Sequence, residues 1–181
     1  YVHWSAFNAA DYWDKPIDSD GGYGTALAVG WRDLGWHAGT SVVAGQRPAQ
    51  DEFAEWSQLA TSLQWAANLH VLTGFLPLVY LGEYHFNNIR PEGERSTLGL
   101  SAFHEMGWLI MDGLNATVRY DWGDTDVELR EDSIHRAQLG FEWYPIPYLE
   151  VIARYRHNWV NSEERFSTDS DEFLLMLHGY Y

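Results

Sequence analysis

The sequence predicts an all-β fold class: an antiparallel, up-and-down transmembrane β-barrel of about ten strands, with residues 1–181 as one domain. Three observations predict it. Apolar and polar side chains alternate with a period of two along most of the chain, the mark of strands with one greasy and one wet face. Short and long connections alternate strictly between these segments, as in a meander with all its tight turns at one end. Aromatic residues, 16% of the chain, gather toward segment ends, where rings with an apolar body and a polar tip favour a membrane–water boundary.

Composition narrows the choices. With 10 Trp and 11 Tyr the chain is not of the disordered class. A formal charge of −15 argues against a nucleic-acid partner, because phosphate contacts need a basic surface. Cysteine is absent, so disulfides, thiolate metal sites and covalent haem attachment are excluded. No apolar run is long enough for a spanning helix. The chain opens on Tyr1 rather than Met, which fits a removed signal peptide or a piece of a longer polypeptide.

The elements follow in order. A first strand is expected over Tyr1 to Ala9. In the second, Tyr23, Thr25, Leu27, Val29 and Trp31 oppose Gly24, Ala26, Ala28, Gly30 and Arg32. In the third, Trp36, Ala38, Thr40 and Val42 oppose His37, Gly39, Ser41 and Val43. A long fourth strand sets Leu59, Thr61, Leu63, Trp65, Ala67, Leu69 and Val71 against Gln58, Ser62, Gln64, Asn68 and His70. In the fifth, Leu78, Tyr80, Tyr84 and Phe86 oppose Glu83, His85 and Asn87. Residues Thr97 to Trp108 read either way; placing Leu98, Leu100, Ala102 and Met106 outward turns Glu105 inward. The seventh is the clearest, with Leu114, Ala116, Val118, Tyr120 and Trp122 against Asn115, Thr117, Arg119 and Asp121. Strands over Arg136–Trp143, Leu149–Arg156 and Glu172–Tyr181 complete the set, an even count that puts both termini at the short-turn end. The tight turns are Asp33–Gly35, Leu72–Leu76, Met111–Gly113 and Pro145–Pro147; the long connections are 10–22, 47–55, 88–96, 123–132 and 158–170. The competing reading is a soluble β-sandwich or lipocalin-like barrel with the aromatics in its core.

The inward face changes character along the chain. Early strands turn small residues inward, among them Gly24, Ala26, Gly30, Gly39, Ser41 and Ser62. Late strands turn Glu105, Arg119, Asp121, Arg136, Glu142, Glu150, Arg154, Arg156 and Glu172 inward, and such charges must pair across strands or line water. A charged constriction that selects small solutes is the functional form of that face. Acids also fill the long loops, and Asp124, Asp126 and Glu128 form an alternating set of hard oxygen ligands that suits Ca²⁺. The spacing matches no EF-hand, and solvated loops explain the acids as well. Eight histidines are spread singly, with no H-E-x-x-H pair, and no G-x-S-x-G, P-loop or G-x-G-x-x-G motif occurs. No metal and no cofactor is expected of the chain itself.

At the C-terminus Phe173, Leu175, Leu177 and the terminal aromatic Tyr181, at alternate positions, resemble the sorting signal that ends bacterial outer-membrane barrel proteins, with Gly179 as the departure. That resemblance implies the bacterial outer membrane as location, its lipid as surroundings and insertion by the barrel-assembly machinery. The runs Gly113–Trp122 and Gln138–Glu150, continuing to Arg154-Tyr155-Arg156, are similar to the last hairpins of the large barrels that sheath multihaem cytochromes in electron conduits. This second likeness implies a periplasmic or extracellular cytochrome as partner, to which any haem would belong. It also implies that the chain is a reduced relative, or the C-terminal ten strands of a larger barrel. Three functions remain: a structural wall that seats a partner, a small-solute or ion pore, and a small outer-membrane enzyme of the omptin or acyltransferase type. Ten strands leave little free lumen, which favours the wall.

Overall fold

The computed structural model describes residues 1–8, 23–47, 56–91, 93–129, 133–160 and 169–179. Ten strands run in chain order: β1 (Val2–Asn8), β2 (Tyr23–Asp33), β3 (Trp36–Arg47), β4 (Trp56–Asn68), β5 (Leu78–Pro91), β6 (Thr97–Met111), β7 (Leu114–Asp124), β8 (Ile134–Ile146), β9 (Leu149–Val160) and β10 (Ser170–Gly179). A short helix, α1 (Leu69–Thr73), lies between β4 and β5. Each strand pairs antiparallel with its sequence neighbour, so the fold is one ten-stranded meander.

Tight turns form where local chemistry favours them. Between β2 and β3, the Asp33 carboxylate accepts the Leu34 N–H at 2.7 Å and Gly35 takes φ +85°, open to a residue without Cβ. Gly113 does the same between β6 and β7 at φ +78°, where an added Cβ would meet the Tyr144 carbonyl oxygen at 2.9 Å.

Several boundaries differ from the sequence reading. The fourth strand stops at Asn68 rather than Val71, because the Asn68 side chain accepts the Val71 N–H at 3.1 Å and caps α1. Gly74 ends that helix at φ +82°. β8 runs through Pro145 to Ile146 with a register irregularity after Trp143, which moves the turn to Pro147 and Tyr148. Strand pairing also reaches into stretches expected as loops, to Pro91 in β5 and Val160 in β9. The expected loop 10–22 lies outside the described residues, as do residues 48–55 of the expected loop 47–55.

The expectation of a closed ten-stranded barrel is corrected. Among the described residues β1 pairs with β2 alone and β10 with β9 alone, leaving one open edge on each. Closure needs tilt and stagger to accumulate until the last strand meets the first in register, and a period of two in the sequence carries no information about that curvature.

The meander is a single layer. Among the described residues Ala102 and Ile152 are the buried hydrophobics, and no large side chain is fully buried. A β-sandwich would bury one face of each sheet against the other, and here no second layer covers the apolar face. That face instead presents Trp31 at 67% exposure, Trp108 at 52% and Phe173 at 73%, with Leu27, Leu63, Phe86, Val118, Leu139 and Tyr155 between them.

Candidate functional site: a charged field on the polar face

Register brings the late-strand charges together in rows. One row runs Leu81, Glu105, Arg119, Gln138, Arg156 and Glu172 across β5 to β10. The next, toward the long loops, runs Glu83, Phe103, Asp121, Arg136 and Asn158. Toward the short turns lies Val79, Gly107, Thr117, Gly140 and Arg154. Glu105 is thus on the polar face, as expected from Leu98, Leu100 and Met106 facing away.

Within this field opposite charges find each other. Arg119 donates through Nε to Asp121 at 2.8 Å and reaches Glu105 at 3.5 Å. Its guanidinium also stands 4.3 Å from the centre of the Phe103 ring, a cation–π contact. Arg154 donates to Glu142 at 3.1 Å, and Arg156 donates to Gln138 at 2.8 Å and to Glu172 at 3.5 Å. Arg136 donates to the Asn158 amide oxygen at 2.7 Å; among the described residues no carboxylate pairs with it. Nine of these side chains line a cavity of about 290 Å³. Mutual pairing lets such charges stand in a half-buried site without the large desolvation cost of a lone ion.

Glu150 does not join the field. It is 6% exposed and takes the Tyr144 hydroxyl at 2.6 Å, with His178 Nδ1 at 2.9 Å from its other oxygen. The sequence reading placed Glu150 with Glu142 among the inward charges. Glu150 stands opposite His178 of β10, and with the β8–β9 register irregular after Trp143 it meets Tyr144 and His178 rather than the arginines. Gly140 is the other feature the sequence reading missed. A Cβ there would strike the Thr117 hydroxyl and stand 3.5 Å from Arg154 Cγ, so its lack of side chain makes room for both.

The remaining predicted residues lie elsewhere. In the 125–129 segment Arg95 donates to both Asp126 and Glu128, while the Asp124 carboxylate accepts the Asp126 N–H at 3.1 Å. A guanidinium therefore lies against two of the three expected oxygen ligands. Among the described residues no three His, Asp or Glu side chains converge as a metal site. Phe173, Leu175 and Leu177 line the apolar face of β10, and Tyr181 lies outside the described residues. The early strands keep their small residues on the polar face, with Gly30 opposite Gly39 and Ser41 bonded to Ser62 at 2.8 Å.

The apolar face has polar tips of its own. His104, between Ala102 and Met106, meets the Tyr80 hydroxyl at 2.7 Å beneath the Trp65 and Tyr84 rings. Near the long-loop end of the late strands, His135 stacks on Trp159 at 5.3 Å and bonds Tyr120, while Asp171 holds both His157 and Tyr155. Compared with protein-family models and with curated proteins, the chain matches none.

Proposed function

We propose that the chain is a wall of the bacterial outer membrane: its apolar face contacts lipid and its polar face seats a partner or encloses water. The observation that carries this reading is the uncovered apolar face of a single-layer sheet with almost no buried core. Exposed greasy surface of that extent favours lipid over water by roughly 25 cal/mol for each Å² removed from contact with water. Strands β2 to β10 have 10 to 15 residues each, enough to cross a bilayer when tilted. The ring-and-histidine cluster near the long-loop end suits the headgroup level.

The open edges of β1 and β10 support the version in which this sheet is one arc of a larger barrel, completed by strands beyond these ten. The small residues of the early polar face let a partner's backbone approach closely, and a multihaem cytochrome is the partner that the hairpin resemblance implies. A pore is the second reading, and the water-accessible charged field favours it.

Reconstitution tests the proposal. Added unfolded to lipid vesicles, the chain should gain β structure and protease resistance, whereas a folded, dissolved monomer in plain buffer would overturn the wall. Conductance across planar bilayers separates the two readings: a stable open channel supports the pore and defeats the wall, and silence with copurified cytochrome supports the wall.

A further inference from the structure

The polar face carries a second cavity, of about 360 Å³. Pro77, Val79, Gly107, Leu109, Asn115 and His70 are among its lining residues, and its surface is mainly apolar. It adjoins the charged cavity, for both are lined by Thr117 and Glu142. One cross-strand row connects them: Val79, Gly107, Thr117, Gly140 and Arg154. Two of those five are glycine, so the floor between the greasy end and the arginine is low. Gly107 and Arg154 stand three strands apart, about 14 Å at the usual strand spacing.

The charged end is rich in guanidinium groups, with Glu172 pairing Arg156 from its margin. Four arginines line it against three carboxylates: Arg119, Arg136, Arg154 and Arg156 against Glu105, Asp121 and Glu142. Arg136 is bonded to an amide oxygen rather than to an acid. Arg154 gives one terminal nitrogen to Glu142, while its Nε is buried with no hydrogen-bond partner. That nitrogen is covered, so an incoming acceptor meets the part of the Arg154 guanidinium that lines the cavity. A guanidinium donates a charge-assisted hydrogen bond to a carboxylate, which is stronger than the bond it gives to an alcohol.

We propose that this double cavity binds a medium-chain fatty carboxylate, its acid on Arg154 and its alkyl tail along Gly107 and Val79. The proposal rests on the reading of the polar face as a water-filled or partner-filled interior. It goes beyond that reading by naming a ligand class.

The test uses the full chain reconstituted in lipid nanodiscs, after protease protection has shown insertion, with octanoate followed by the NMR shift of its carboxyl carbon. Octanoate should bind saturably, and acetate and octanol at least tenfold more weakly, since each lacks half of the recognition. Gly107→Leu should weaken octanoate tenfold or more while leaving acetate unchanged. A Cβ at Gly107 meets only the Val79 carbonyl oxygen, at 3.9 Å, so the variant has room to fold. Arg154→Gln should bring octanoate down to the level of octanol, and Arg154→Lys should restore part of the difference. Equal signals from empty nanodiscs, or acetate binding as tightly as octanoate, would overturn the proposal and leave the wall intact. Should the chain fold in plain buffer instead, the wall reading falls, and the same titration on the dissolved protein decides the ligand.

Discussion

Side-chain partnership on the polar face depends on a few positions where one atom decides the outcome. Gly140 is the sharpest. Its missing Cβ leaves room for the Thr117 hydroxyl on one side and the Arg154 stem on the other. Gly140→Ala should therefore destabilise the chain by about 1–3 kcal/mol through overpacking. Adding Thr117→Ala should recover most of that loss, a coupling visible in a double-mutant cycle of urea unfolding from vesicles. Glu150 offers a second test. Buried and bonded to Tyr144 and His178, it should lose about 1–3 kcal/mol as Glu150→Gln in the same assay, because one buried partner is left poorly satisfied. Glu128→Gln, at an exposed pair with Arg95, should change stability by no more than about 0.5 kcal/mol. The inward aim of Arg119, and Asp121 two residues on along the same face, were readable from the alternation in β7. The aim of Glu105, in a stretch that reads either way, and the Phe103 ring beside Arg119 were not, since they need the register of β6 against β7.

At the scale of the element, β7 shows how strongly the two faces differ. Val118, 52% exposed, and Thr117 beside it look to opposite sides of one strand. Val118→Arg should cost about 2–4 kcal/mol if that face meets the bilayer midplane, and should lower the folded fraction recovered in vesicles on a cold gel-shift assay. Thr117→Arg, turned toward the charged field, should leave insertion intact. Equal effects of the two would mean that β7 has no lipid side. The ends of elements were less legible than their middles. β4 gives way to α1 at Asn68 because one amide side chain caps a turn of helix, and the apolar alternation of Leu69 and Val71 continues past that point regardless. Alternation describes which way side chains would point in a strand, and a cap decides whether the strand goes on.

For the molecule as a whole, the open sheet is the property with the most consequence. Unpaired edges on β1 and β10 are templates for further strands, and soluble sheets normally blunt or cover such edges. The absence of Cys makes the separation of those edges measurable with one introduced pair of spin labels. Labels at Trp4→Cys and Leu175→Cys should lie well beyond the about 5 Å of adjacent strands. A distance of neighbouring strands in the reconstituted protein would show a closed ten-stranded barrel. The sandwich alternative fares differently, because among the described residues the strands form a single layer, with Ala102 and Ile152 as the buried hydrophobics and no second sheet packed on it.

The amino-acid sequence by itself determined a meander of about ten strands, their order and, outside the ambiguous 97–108 stretch, the faces of the strand middles. These follow from period-two alternation and turn residues, which act within a few positions along the chain. The tertiary structure alone decided that Arg154 pairs with Glu142 while Glu150 turns to His178, and that a greasy cavity opens beside the charged one. It also decided that ten strands stop short of closure. Each of these depends on the register of one strand against another and on curvature summed over the whole sheet. Both arise from contacts between residues far apart in sequence, where local patterning has no reach.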